Sequence, residues 1–83
     1  MINKTQAKIL RALQSADLLY YTDIMKATGL SNPFGYLADL ITYEMVVNVS
    51  QNQGRALYKI TRDGIGVIDV YGRIEARKEL FKS

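Results

Sequence analysis

The chain contains no cysteine and no histidine. The first absence removes disulfides, thiolate metal sites and any thiol nucleophile. The second removes the commonest general base and the commonest metal ligand. The four serines, Ser15, Ser31, Ser50 and Ser83, therefore have no imidazole to activate them. Asp17, Asp23, Asp39, Asp63 and Asp69 are scattered singly, without paired-carboxylate or metal-ligand spacing. Gly64-Ile65-Gly66 lacks the third glycine and the strand-to-helix setting of a phosphate loop, and reads instead as the permissive start of a closely packed helix. These gaps argue against an enzyme, and no cofactor or metal is expected. No apolar run approaches the roughly 18 residues of a membrane span. The polar opening Met1 to Lys8 is not a secretory signal, so a soluble cytoplasmic protein without membrane contact is expected.

What is present suits one small folded domain: 83 residues, 48% hydrophobic and 23% charged. A core of this size is marginal, and with disulfides and metals excluded, oligomerisation is the remaining support. Eleven Lys and Arg against eight Asp and Glu give a net charge of +3. The excess is unevenly spread. Lys4, Lys8 and Arg11 make residues 1–16 basic, and Asp17, Asp23, Asp39 and Glu44 against Lys26 make residues 17–54 acidic. Arg55, Lys59 and Arg62 restore positive charge, and the remainder balances.

Asn3 with Gln6 predicts a capping box for a first helix whose inward face is Ile9, Leu10 and Leu13. Lys4, Lys8 and Arg11 fall opposite that face, as an ordinary solvated stripe or as a phosphate-contacting edge. Leu18 to Tyr21 is a short extended piece. Thr22 is expected to cap a helix over Asp23–Thr28, stopped by Gly29 in the left-handed conformation. Asn32 and Pro33 read as N-cap and first residue of a third helix running to about Tyr43 or Glu44, with Phe34, Leu37, Leu40 and Ile41 inward. Two short helices joined by a glycine-containing turn make a helix-turn-helix. The period then changes to two: Met45–Ser50 and Ala56–Ile60 predict a hairpin around Gln51 to Gly54. Thr61 caps a last helix from about Arg62 to Leu80 or Phe81.

That last helix is apolar on too many sides. Ile65, Ile68 and Gly72 can close the core. Val67, Tyr71, Ile74, Lys78 and Phe81 follow the 4-3-4-3 spacing of a coiled-coil seam. A homodimer through these residues is expected, unless the stripe folds back on Leu19, Tyr20 and Tyr21. Residues 1–61 thus read as a winged helix-turn-helix core, mainly α with a small β-hairpin, and 62–83 as a long C-terminal dimerisation helix.

In a module of this kind the second helix of the motif enters the major groove. Its candidates here are Ser31, Asn32, Gly35 and Tyr36, although Asn32 also serves as a cap. The hairpin becomes a wing that brings Asn52, Gln53 and Arg55 to the backbone or minor groove, with Lys59 and Arg62 at its base. Lys4, Lys8 and Arg11 are further backbone candidates.

The whole chain resembles the small winged-helix DNA-binding proteins and predicted transcriptional regulators of archaea and their viruses. These include the dimeric ten-kilodalton chromatin-associated proteins with a C-terminal coiled-coil helix. The resemblance rests on Lys8-Ile9-Leu10, Asp23-Ile24-Met25, Leu30-Ser31, and Tyr36-Leu37 with Leu40. It continues through Tyr58-Lys59-Ile60-Thr61 leading to Gly64, and Val70-Tyr71. It implies binding of double-stranded DNA as a homodimer, with the third helix in the major groove. Two departures stand out: residues 32–45 hold Asp39 and Glu44 but no Lys or Arg, and Glu44-Met45-Val46 replaces the glycine usual after the third helix. The acidic helix keeps a second reading open, a winged-helix module that holds a protein partner through that helix or the apolar C-terminal one.

Overall fold

A computed structural model describes residues 2–50 and 55–82, with the backbone alone at 81 and 82. The expected wing residues Asn52 and Gln53, and the side chain of Phe81, lie outside the described residues. The element order is α1 (Lys4–Ala16), β1 (Leu18–Tyr20), α2 (Tyr21–Thr28), α3 (Phe34–Thr42), β2 (Val46–Asn48), β3 (Leu57–Ile60) and α4 (Arg62–Lys82). This is a winged helix-turn-helix with a long C-terminal helix.

Helix α1 starts on the predicted capping box. Gln6 N–H donates to Asn3 Oδ1 at 2.8 Å, and Asn3 N–H donates to Gln6 Oε1 at 3.1 Å. Helix α2 begins earlier than Thr22 predicts, because Asp23 reaches back to accept from the Tyr20 N–H at 3.1 Å. Gly29 ends it at φ 74°, the left-handed stop that its lack of a Cβ permits. Helix α3 begins at Phe34 with Pro33 at the cap, so Asn32 does not cap it. Its side-chain Oδ1 instead accepts from the Tyr21 hydroxyl at 3.2 Å, tying the start of α2 to the start of α3.

The three strands form one antiparallel sheet in the order β1-β3-β2. Tyr58 lies opposite Leu19 on one side and Asn48 on the other, and Lys59 lies opposite Leu18 and Val47. The alternation buries Tyr58 and Ile60 and exposes Lys59. One core joins Ala7, Ile9, Leu10 and Leu13 of α1 to Ile24, Leu37, Leu40, Val46, Tyr58, Ile60 and Ile68.

Two of the residues expected inward on α3 are not. Leu37 and Leu40 are buried beside Pro33, whereas Phe34 and Ile41 are exposed. The buried stripe is centred on the Leu37–Leu40 pair, which places Phe34 and Ile41 to one side of it, Ile41 about 100° round the axis from Leu40. Helix α3 ends in a Schellman motif: Met45 N–H donates to Leu40 O at 2.9 Å, and Glu44 N–H to Ile41 O at 3.0 Å. Glu44 occupies the left-handed position at φ 61°, where glycine is usual.

Thr61 joins this corner to α4. Its hydroxyl donates to Glu44 O at 2.6 Å and accepts from the Gly64 N–H at 3.0 Å, the expected cap. A Cβ at Gly64 would overlap Met45 O and lie 2.8 Å from Ile60 Cγ1, so only glycine allows the chain entering β2 to pass this close to α4. Beyond Ile68, none of the described side chains of α4 is fully buried. Among the described residues, no helix is long and apolar enough to cross a membrane.

Candidate nucleic-acid interface

Helix α3 presents a continuous outward face because only Leu37 and Leu40 of its nine residues are buried. Ser31 and Asn32 lie exposed in the turn that precedes it, and Gly35 and Tyr36 lie exposed in its first turn. The structure thus brings the four groove candidates to one end of one helix. Phe34, 64% exposed, lies among them, and Tyr43, 66% exposed, stands at the other end of the helix. Sequence reasoning missed Phe34 because its spacing to Leu37 and Ile41 fits an inward stripe; the deciding signal was Pro33, which is itself buried.

Arg55 and the start of α2 form the second component. The Arg55 guanidinium donates to Thr22 Oγ1 at 2.7 Å and lies 4.3 Å from the centroid of the Tyr20 ring. This pairing holds a cation beside the first turn of α2, where the helix dipole is also positive. By sequence Thr22 carries only a capping role; its part in seating Arg55 depends on the 33-residue separation that the sheet closes.

Lys59 is exposed at the middle of β3, between Leu18 and Val47 on the outer face of the sheet. Arg62 opens α4 and lines a groove of about 690 Å³ with Tyr43, Met45, Gly66, Val67 and Val70. Its side chain therefore borders the α3–α4 corner. Lys4, Lys8 and Arg11 are exposed along α1. Arg11 lies 5.5 Å from the Tyr71 ring centroid, and with Lys8 it lines a groove closed by Leu19, Ala27 and Thr28. Lys8 and Arg11 thus lie together beside the end of α2, and Arg11 also meets α4.

Of the expected dimer seam, Val67 and Tyr71 pack partly buried against the core of their own chain. Ile74 is half-buried, and Lys78 is exposed, 3.6 Å from Glu75. Tyr58 is buried under the sheet; its burial, with a smaller contribution from Tyr21, raises the phenol above its ordinary pKa of 10.0. Among the described residues, no group of three or more acidic side chains is placed to hold a metal ion.

No protein-family model matches the chain, and no curated protein matches it by sequence. Solved structures do. BpsR of Bordetella bronchiseptica, whose DNA binding is regulated by 6-hydroxynicotinic acid, superposes with a TM-score of 0.83 at 19% identity. That match covers 92% of this chain and 57% of BpsR. A mutant of MarR from E. coli gives a TM-score of 0.84 at 19% identity, covering 98% of this chain and 65% of MarR. Sso10a-2, a DNA-binding protein from Sulfolobus solfataricus, gives 0.71 at 18% identity, covering 98% of this chain and 87% of that one. The chain spans less than two thirds of the length of BpsR and of MarR. It has a winged helix-turn-helix fold like that of MarR, with a long C-terminal helix.

Proposed function

We propose that the protein binds double-stranded DNA as a homodimeric transcriptional regulator, with α3 in the major groove and the β2–β3 wing along the backbone or minor groove. The observation that carries this reading is the pairing of an outward α3 face with the Arg55 cation seated at the start of α2. A duplex lying on α3 has its flanking phosphates beside the motif's first helix, which is where that cation is held. The likeness in fold to BpsR and Sso10a-2, both described as binding DNA, supports the same assignment.

Residues 62–83 serve both core and dimer in this reading. Ile68 faces the core, and Val70 is 46% exposed on the groove side of α4, next to Tyr43 and Gly66. Symmetric packing of two α4 helices along this side gives each copy the apolar partner that its own domain lacks.

The test is anisotropy of a labelled duplex titrated at increasing salt. If roughly four phosphates per subunit are neutralised, the dimer has a log–log salt slope of about −7. No binding by folded protein at low salt overturns the proposal. That result would favour the second reading, a protein-docking module, for which the exposed carboxylate of Asp39 on α3 is the specific support.

A further inference from the structure

We infer that α3 reads thymine methyl groups, with Phe34, Ala38 and Thr42 as the specificity-determining residues. The inference rests on the DNA-binding reading above and names what the groove contacts recognise.

Within Phe34–Thr42 there is no Lys, Arg, Asn or Gln. The helix therefore cannot make the two-donor pair to guanine O6 and N7, nor the amide pair to adenine. Apart from Tyr36 and Asp39, the side chains it turns outward are apolar or carry a methyl group. Phe34, Ala38, Ile41 and Thr42 recur at i, i+4, i+7 and i+8, on one edge of the helix, and Phe34, Ile41 and Thr42 are exposed. The Thr42 hydroxyl already gives its proton to Ala38 O at 2.9 Å, so toward a base it offers its methyl and an acceptor oxygen but no donor. The only apolar group a base pair presents in the major groove is the C5 methyl of thymine.

Two further features fit. A Cβ at Gly35 would meet nothing within 4 Å, so the fold does not require glycine there. Its bareness keeps the centre of the face low enough for base edges to approach the backbone. Asp39, also exposed, is an acceptor: it suits the amino group of the adenine paired with a contacted thymine, and that of cytosine. The helix selects for thymine by contact, and Asp39 is compatible with the adenine across from it.

The experiment uses the full chain and a randomised duplex pool. The enriched duplex is then remade with deoxyuridine at its thymines, which removes the methyl groups and nothing else. The expected result is a thymine-rich motif whose affinity falls about fourfold for each contacted methyl lost. Phe34→Ala should bind the thymine duplex more weakly and respond less to deoxyuridine than the wild type does. Phe34 is exposed, so this variant keeps the core intact. Equal binding of thymine and deoxyuridine duplexes, or a Phe34→Ala variant that discriminates as the wild type does, overturns the inference while leaving DNA binding in place. Failure to bind any duplex overturns both.

Discussion

Arg55 stacks on Tyr20, its guanidinium carbon 4.3 Å from the ring centroid, at the junction where β1 passes into α2. The stack and the bond to Thr22 fix a side chain that would otherwise lose rotamer freedom on binding. Replacing Arg55 with Ala should therefore weaken DNA binding at all sequences alike and flatten the salt slope by about one unit per subunit. Arg55→Lys keeps the charge without the planar stack, so the slope should hold while affinity drops. Anisotropy titrations over a salt series check both, and an unchanged slope for Arg55→Ala removes it from the phosphate contacts.

Glu44 bears a backbone cost. It sits at φ 61° in the left-handed position of the motif that ends α3, where a Cβ costs roughly 1–2 kcal/mol. Glycine there relieves the strain but has more freedom to lose on folding, so Glu44→Gly should stabilise the protein by about 1 kcal/mol net. Urea denaturation reads the change directly. A variant less stable than the wild type would mean that the Glu44 side chain makes a compensating interaction.

The buried phenol of Tyr58 sets a limit at high pH. Its folded pKa is raised, chiefly by burial, so the folded state holds its proton more tightly than the unfolded state does. The sign follows: the stabilisation is complete below the unfolded value near pH 10, and it is lost as pH rises through the folded pKa. Tyr58→Phe should flatten the fall in melting temperature above about pH 10 relative to the wild type. Parallel curves for the two proteins would show that Tyr58 does not govern alkaline unfolding.

Much of this architecture is legible in the residues because local rules agree there. The Asn3–Gln6 box, Gly29 and the Thr61 cap each act within four positions of themselves, and each is where the pattern places it. What was not legible depends on rotation or on distant partners. Whether Phe34 or Leu37 leads into the core is a matter of tens of degrees about the axis of α3, and the burial of Pro33 decides it. The fate of Asn32 depends on Tyr21, eleven residues away, and that of Arg55 on Thr22 across the sheet. Gly64 reads in the sequence as the permissive start of a closely packed helix, and it is; which atom packs there, Met45 O, depends on the strand that brings it.

Rotation about the axis of α4 also bears on the proposed dimer. The 4-3-4-3 spacing selects Tyr71, but in the folded chain Tyr71 packs on the core and under Arg11. Val70, one residue and about 100° away, faces the groove that Tyr43 and Met45 border. If two copies meet along that side, Val70→Asp puts a charge into the interface twice by symmetry, once from each copy. Dimer affinity should then fall by on the order of 100-fold or more, while the melting of the single domain changes little because Val70 is exposed in it. Tyr71→Ala should do the reverse, lowering stability by about 2 kcal/mol through lost core packing. Sedimentation at tens of micromolar, beside thermal melts of both variants, separates the two roles. A wild type that sediments as a monomer would remove the dimer, and a Val70→Asp variant that still pairs would remove the Val70 side of α4 from its interface.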